Sequence, residues 1–284
     1  LYLMKNINLF LGVAFFLLSL NTKAQAIYDW ALHVGGSGAS FLLADEAKCV
    51  ATDNSGNVYI AGSFFNTPDF DPGPGTQTIT SAGSGDGFIA KYDPNGNFLA
   101  VYTFTNTLDC KVYSIDIDNA GNIVATGNFQ GTVDFDPTVG FYGLSSPSGY
   151  DFFVMKLNAA GTFSWAVKIG ASGVDDFGYG IDTDLNNDVL VTGYFIGVVD
   201  FNPAAAVNNL TTTAGGDGFV LKLTSADLFS WALNFGGNNV QDQGNTISTD
   251  APGNVYVGGF FPVSYTHLRA HETKANLVCR LLLE

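Results

Sequence analysis

A repeated stretch constrains this chain more than any other feature. GNVYIAGSFFNTPDFDP, from Gly56 to Pro72, returns as GNIVATGNFQGTVDFDP from Gly121 to Pro137 and as NDVLVTGYFIGVVDFNP from Asn187 to Pro203. A fourth copy, GNVYVGGFF, begins at Gly253 and breaks off after Phe261, so the anchors stand 65, 66 and 66 residues apart. A fixed period of this size means one supersecondary unit, each copy burying its faces against its neighbours.

Each unit contains four short apolar segments divided by turn residues; in the first copy they are 48–52, 57–64, 87–92 and 98–104. Four strands per unit without helical periodicity is the pattern of a β-propeller blade. The expected fold class is therefore all-β: four-stranded antiparallel blades of about 65 residues in an incomplete ring. The turns agree with it. Asp53-Asn54-Ser55-Gly56, Asp118-Asn119-Ala120-Gly121 and Asp250-Ala251-Pro252-Gly253 begin with Asp and end with Gly. The carboxylate can cap the turn's N–H groups while Gly takes a positive φ. Asn187 replaces that Gly in the third copy, and Asn tolerates the conformation best among residues with a side chain. A second hairpin repeats the device, ending at Gly96, Gly161 and Asp227.

The second segment of each unit is nearly all apolar, as expected for a strand covered on both faces. Phe88, Phe153 and Phe219 recur in the third segment and are expected to fill the space between blades. Lys91, Lys156 and Lys222 recur five residues after Asp86, Asp151 and Asp217. A lysine copied in every blade reads as a structural ion pair or a snorkelling stem; a nucleophile would not need the copies. A disulfide between Cys49 and Cys110 is disfavoured, because the two stand four residues out of equivalent register.

The ends read differently. Lys5, the apolar run 9–20 and Ala24-Gln25-Ala26 form a secretory signal peptide over 1–26, with 1–3 upstream of the start at Met4. The blades occupy 27–262, three full copies and one partial. WALHVGG, from Trp30 to Gly36, matches WALNFGG, from Trp231 to Gly237, and in outline WAVKIG, from Trp165 to Gly170. That is the last strand of a blade standing before any first strand. The strand around Trp30 is therefore expected to complete a later blade lying beyond this chain, leaving an arc with exposed edges. From 263 to 284 the repeat is lost: both arginines, Arg269 and Arg280, fall there, and no glycine does. This tail is expected to be foreign and to make few contacts with the blades; it resembles translated sequencing-adapter sequence.

The repeat itself resembles the bacterial SBBP family of β-propeller repeats. The D-x-x-G-N-V-Y-x-x-G-x-F core, the D-F-D-P loop, the D-x-F-x-x-K strand and the closing W-A-x-x-x-G-G carry the resemblance over Trp30 to Phe261. It implies an exported bacterial protein, usually larger than this chain, without assigned catalytic residues. The chain departs from the family in having few complete repeats and no C-terminal sorting or partner domain.

Charge narrows the partners. Between Ile27 and Pro262 there are 24 Asp or Glu residues against six Lys and no Arg, which repels nucleic acid and an anionic membrane surface. Asp69 with Asp71, Asp134 with Asp136 and Asp200 with Asn202 could each present two oxygens to calcium. The favoured reading is that these acids cap their own loop, that Phe70, Phe135 and Phe201 anchor it, and that Pro ends it. Asp182 to Asp188 imitates an EF-hand start, but Gly193 stands where the bidentate Glu belongs and Asn187 where Gly belongs. His267, His271 and Glu272 lack the H-E-x-x-H order of a zinc helix. No residue is therefore assigned a catalytic, cofactor-binding or metal role, and no cofactor is assigned. The expected function is a secreted or cell-surface binding or scaffold module for a protein or glycan. A calcium-stabilised array and a polysaccharide-acting propeller enzyme stand as alternatives.

Overall fold

The computed structural model describes residues 31, 45–212, 215–237 and 241–261, together with the backbone of 277–281. All of these lie in the unit Ala31–Glu284. The leader over 1–26 and the strand around Trp30 lie outside the described residues. Every described element is a β-strand.

Four antiparallel sheets follow one another along the chain. The first holds β1 (Glu46–Thr52), β2 (Val58–Phe64), β3 (Asp86–Tyr92) and β4 (Phe98–Phe104) in that order. The second holds β5 (Cys110–Ile117), β6 (Ile123–Asp134), β7 (Gly143–Leu157) and β8 (Phe163–Ile169). The third is built from β9 (Phe177–Thr183), β10 (Val189–Phe195), β13 (Asp217–Leu223) and β14 (Phe229–Phe235). Its hairpin arm forms a separate ribbon, β11 (Val198–Asp200) with β12 (Asn209–Thr211). The fourth holds β15 (Gln243–Thr249), β16 (Val255–Phe260) and β17 (Leu277–Leu281). The first-copy segments read from the sequence coincide with β1 to β4 within two residues at each end. The first strands β1, β5, β9 and β15 lie side by side in succession.

Side-chain alternation explains the apolar runs. Ile123 and Ala125 of β6, with Phe153, Met155 and Leu157 of β7, pack against the first sheet beside Tyr59, Ala61 and Ile89. Val124, Phe152 and Val154 point the other way, into the core shared with Val191, Phe219 and Leu221 of the third sheet. Phe153 and Phe219 thus stand between blades as expected. Phe88 packs with Phe64, Phe70 and Tyr92 on the face of the first sheet turned away from the second.

A bulge recurs in the first strand of every blade, at Ala47/Cys49, Val112/Ser114, opposite Thr192/Gly193, and at Gly244/Thr246. It brings a main-chain carbonyl onto the second strand. A Cβ at Gly62, Gly127 or Gly193 would sit 1.8 Å from the carbonyl oxygen of Glu46, Lys111 or Phe177. The glycine of the repeat's G-x-F is required by that approach. The turn assignments also hold: φ is 79° at Gly56, 81° at Gly121, 63° at Asn187, 89° at Gly253 and 65° at Asp227.

Two features depart from the sequence reading. The D-F-D-P stretch is a loop from Phe135 on, as expected, but the strand leading into it is longer than the sequence suggested: β6 runs on to Asp134 and pairs with the start of β7. In the first blade the same arm is reduced to the bridge between Asp69 and Thr78. The tail was expected to make few contacts, yet Leu277–Leu281 pairs with β16 over five residues. Its register sets Arg280 across from Tyr256, where the other blades set Lys91 across from Tyr59, Lys156 from Val124 and Lys222 from Leu190.

Candidate functional site

The recurring acids were the sequence's best candidates, and the structure places each set separately. In the turn between first and second strands, Asp118 Oδ1 accepts the N–H groups of Ala120 and Asn122, both at 2.9 Å. Its Oδ2 accepts Asn122 Nδ2 at 2.9 Å and pairs with Lys156 Nζ at 2.8 Å. Asp53 caps Ser55 and Asn57 in the same way, with Lys91 Nζ at 3.7 Å. Asp184 caps Asn186 and Asp188, with Lys222 Nζ at 2.7 Å. Burial opposes ionisation at Asp53, Asp118 and Asp184, but the hydrogen bonds and, at the latter two, the lysine outweigh it and hold each carboxyl below its ordinary value. The recurring lysine is thus an ion-pair partner of the turn aspartate. The acid five residues before it bonds elsewhere, as Asp86 does with the N–H groups of Ala82 and Asn106.

The D-F-D-P acids are engaged by their own loop. Asp69 Oδ1 accepts from the N–H of Asp71 and Gln77, Asp134 Oδ1 from Asp136 and Tyr142, and Asp200 Oδ1 from Asn202 and Asn208. The second member of each pair caps the next turn: Asp71 binds Gly73 N–H, Asp136 binds Thr138, and Asn202 binds Ala204. The phenylalanine between them is fully buried in a triangle of rings repeated three times. Phe135 lies 5.4 Å from Phe129 and 4.8 Å from Phe153, Phe70 lies 5.4 and 5.1 Å from Phe64 and Phe88, and Phe201 lies 5.1 and 5.0 Å from Phe195 and Phe219.

In the EF-hand-like run, Asp184 and Asp188 share the Lys222 ammonium, while Asp182 faces the fourth sheet. Among the described residues no group of three or more His, Cys, Asp or Glu side chains converges as a metal site. His267, His271 and Glu272 lie outside the described residues. Cys49 and Cys110 are free thiols, as their offset register suggested.

Sequence reading missed a ladder joining the first strands. Thr183 donates its N–H, at 2.9 Å, and its hydroxyl to Asp116 Oδ2 of the preceding blade. Thr249 repeats this on Asp182 Oδ2, with both bonds at 2.7 Å. The signal was present in the strings IDID, IDTD and ISTD that end the first strands, where alternate residues face one way. Burial, opposed by the Thr249 bonds and aided by the Asp116 charge, pushes the Asp182 carboxyl above its ordinary value. Beside this ladder a cavity of about 300 Å³ opens at the turn ends of β5, β9 and β15. Asp116, Asp182, Asp184 and Asp250 give it an acidic wall, and Leu185, exposed at its rim, an apolar one. Such a concavity can accept hydroxyl or amine donors from a ligand.

Successive four-stranded antiparallel sheets, stacked through their faces and repeating at 65 and 66 residues, define a β-propeller-like repeat protein. The chain is 27% identical, over 263 aligned residues, to an uncharacterized WD repeat-containing protein of Acanthamoeba polyphaga mimivirus. The alignment takes in 80% of this chain and 18% of that protein, so the chain spans less than a fifth of its relative. No protein-family model matches the chain.

Proposed function

We propose that the chain belongs to an exported, non-enzymatic β-propeller of the SBBP type that binds a protein or glycan, or serves as a scaffold. One observation carries the reading. The turn aspartate, the third-strand lysine and the D-F-D-P acids make the same fold-maintaining bonds in blade after blade. A catalytic centre would break that symmetry. The acidic balance of the repeats favours partners that bring hydroxyls or amines and disfavours nucleic acid. Glycan-array binding together with chromatography of incubated oligosaccharides tests the reading. Retention without new products supports it, and release of shorter sugars would refute it.

Export rests on the leader-like segment, and the expected mature N-terminus follows Ala24 or Ala26. Mass spectrometry of protein recovered from the medium or cell surface checks this; an intact Met4 in a soluble cell fraction counts against it. We also read 263–284 as a foreign tail, on its change of composition.

A further inference from the structure

One place in each blade, eight residues before the turn aspartate, lies at the junction with the blade before. It holds Cys110 in the second blade, Asp176 in the third and Asp242 in the fourth. Each of these donates its main-chain N–H across the junction: Cys110 to Gly85 O at 3.0 Å, Asp176 to Tyr150 O at 2.7 Å and Asp242 to Gly216 O at 3.1 Å. The residue after each of those carbonyls is an acid of the preceding blade, Asp86, Asp151 or Asp217, and all six residues are buried. Every junction thus combines a third-strand carboxyl with one further group. That group is a thiol at the first junction and a second carboxyl at the other two.

The same geometry therefore carries a different load of charge. At the first junction Asp86 accepts the N–H groups of Ala82 and Asn106, while burial and the Asp86 charge push the Cys110 thiol up and keep it neutral. Asp109 and Lys111 beside it pair with each other at 3.1 Å. At the second junction Lys168 pairs with Asp151, and Asp175 accepts Tyr150 N–H. Asp176 accepts the N–H groups of Ala171 and Ile196. At the third, Asn234 stands in the place of Lys168 and donates to Asp217 at 2.8 Å, and Asp242 accepts Gly237 N–H. The Tyr194 ring lies against Gly216 there, its hydroxyl neutral and its ionisation opposed by burial. No described lysine pairs with Asp176, Asp217 or Asp242. Ionising a buried carboxyl beside another is opposed by burial and by the like charge. Burial is the larger cause for both acids: it pushes Asp176 up to about 6 and Asp242 above its ordinary value, against the N–H bonds that favour the ionised form.

We propose that the second and third blade junctions are proton-dependent latches, closed while Asp176 and Asp242 are protonated and loosened when they ionise, whereas Cys110 makes the first junction indifferent to pH. A raised acid contributes fully below the unfolded value of about 3.9 and loses that contribution as pH rises through its folded value. The window for Asp176 is therefore about pH 4 to 6. As pH rises through it, the first two blades stay joined while the third and fourth come loose.

The amides of Cys110, Asp176 and Asp242 report the three junctions separately, because each is bonded across its own. The test is hydrogen exchange of the full chain, read by mass spectrometry on peptides covering each amide and corrected for intrinsic rates. Between about pH 4.5 and about pH 6.5, protection of the Asp176 amide should fall at least about tenfold, while that of Cys110 stays within about twofold. Protection of the Asp242 amide should fall as well. Asp176→Cys, which copies the first junction, should abolish the change at its own amide, and Cys110→Asp should create one at the first junction. No change at Asp176, or an equal change at Cys110, would overturn the proposal. So would a pH response at position 176 that survives Asp176→Cys. The wild-type comparison decides by itself if neither variant folds.

Discussion

Lys156 Nζ lies 2.8 Å from Asp118 Oδ2, and the two side chains are only 7% and 0% exposed. The equivalent pair in the first blade, Lys91 with Asp53, is longer at 3.7 Å and more exposed. Removing one partner from a buried pair strands the other charge, at about 3–5 kcal/mol, whereas an exposed pair contributes about 1 kcal/mol or less. Lys156→Met should therefore destabilise the protein far more than Lys91→Met, measured as shifts in urea midpoint. Equal shifts would show that burial does not set the strength of this recurring pair.

Acid and base act on different aspartates, and the signs can be worked out. Asp118 and Asp184 are held below their ordinary value in the fold. Their contribution is complete above the unfolded value of about 3.9 and is lost as pH falls through the lower folded values. Asp176 goes the other way: burial, opposed by the Ala171 and Ile196 N–H bonds and aided by the Asp151 and Asp175 charges, pushes its carboxyl up to about 6. The fold then holds a proton that the unfolded chain releases, so stability falls as pH rises from about 4 to about 6, by about 3 kcal/mol. Melting temperature should peak in mildly acidic buffer. Asp176→Asn should flatten the loss between about pH 4 and 6, whatever its effect on absolute stability. An unchanged slope would remove Asp176 as its source.

Much of this fold was legible because each blade reuses a few residues whose backbone demands are specific. The Asp-x-x-Gly turns, Asn187 in place of Gly and the apolar second strands all predicted what their positions show. What could not be read was where side chains meet across blades. The lysine's partner stands in the turn between the first two strands, not five residues before it, because it is set by hairpin register and not by sequence distance. The pairing of Thr183 with Asp116, 67 residues apart, likewise depends on how one first strand lies beside the next. Asp217 and Asp242 were visible as residues, but nothing in the string revealed that the Gly236–Gly237 peptide would lie against both.

The thiols make a simple probe of packing. Burial pushes the Cys49 thiol up to about 12 and raises that of fully buried Cys110 as well. Thiolate, not thiol, is the nucleophile, so both should be inert in the folded protein. In a Cys279→Ser background, iodoacetamide should leave native protein unlabelled and modify two sites in denaturant. Rapid labelling under native conditions would mean that the first and second blades open at their shared core.

The ring triangles predict a graded series. Phe135 touches Phe129 and Phe153 of its own blade and stacks on Phe104 of the blade before, at 5.9 Å. Phe135→Ala should cost about 3–5 kcal/mol through the lost contacts and the cavity. Asp134→Ala removes two main-chain caps beneath that ring and should cost about 1–2 kcal/mol, with Asp136→Ala costing less because its bonds are exposed. Denaturant midpoints would order the three, and a larger loss at Asp136 than at Asp134 would point to a role beyond the loop.

The tail supplies the last prediction. β17 takes the third place in the fourth sheet and sets Arg280 in the register of the recurring lysine, yet it lacks what holds the other third strands. Those strands begin with Asp-Gly or Asp-Phe and carry a buried phenylalanine, as at Asp86-Gly87-Phe88 and Asp217-Gly218-Phe219, and a D-F-D-P or D-F-N-P arm leads into them. Leu277–Leu281 has neither feature in its sequence. Five main-chain pairs at a sheet edge add little by themselves, because a strand's stability comes chiefly from its side-chain contacts. Deleting 263–284 should leave the melting temperature unchanged or raise it. A loss of several degrees would show that β17 is a working third strand and that the tail belongs to the fold.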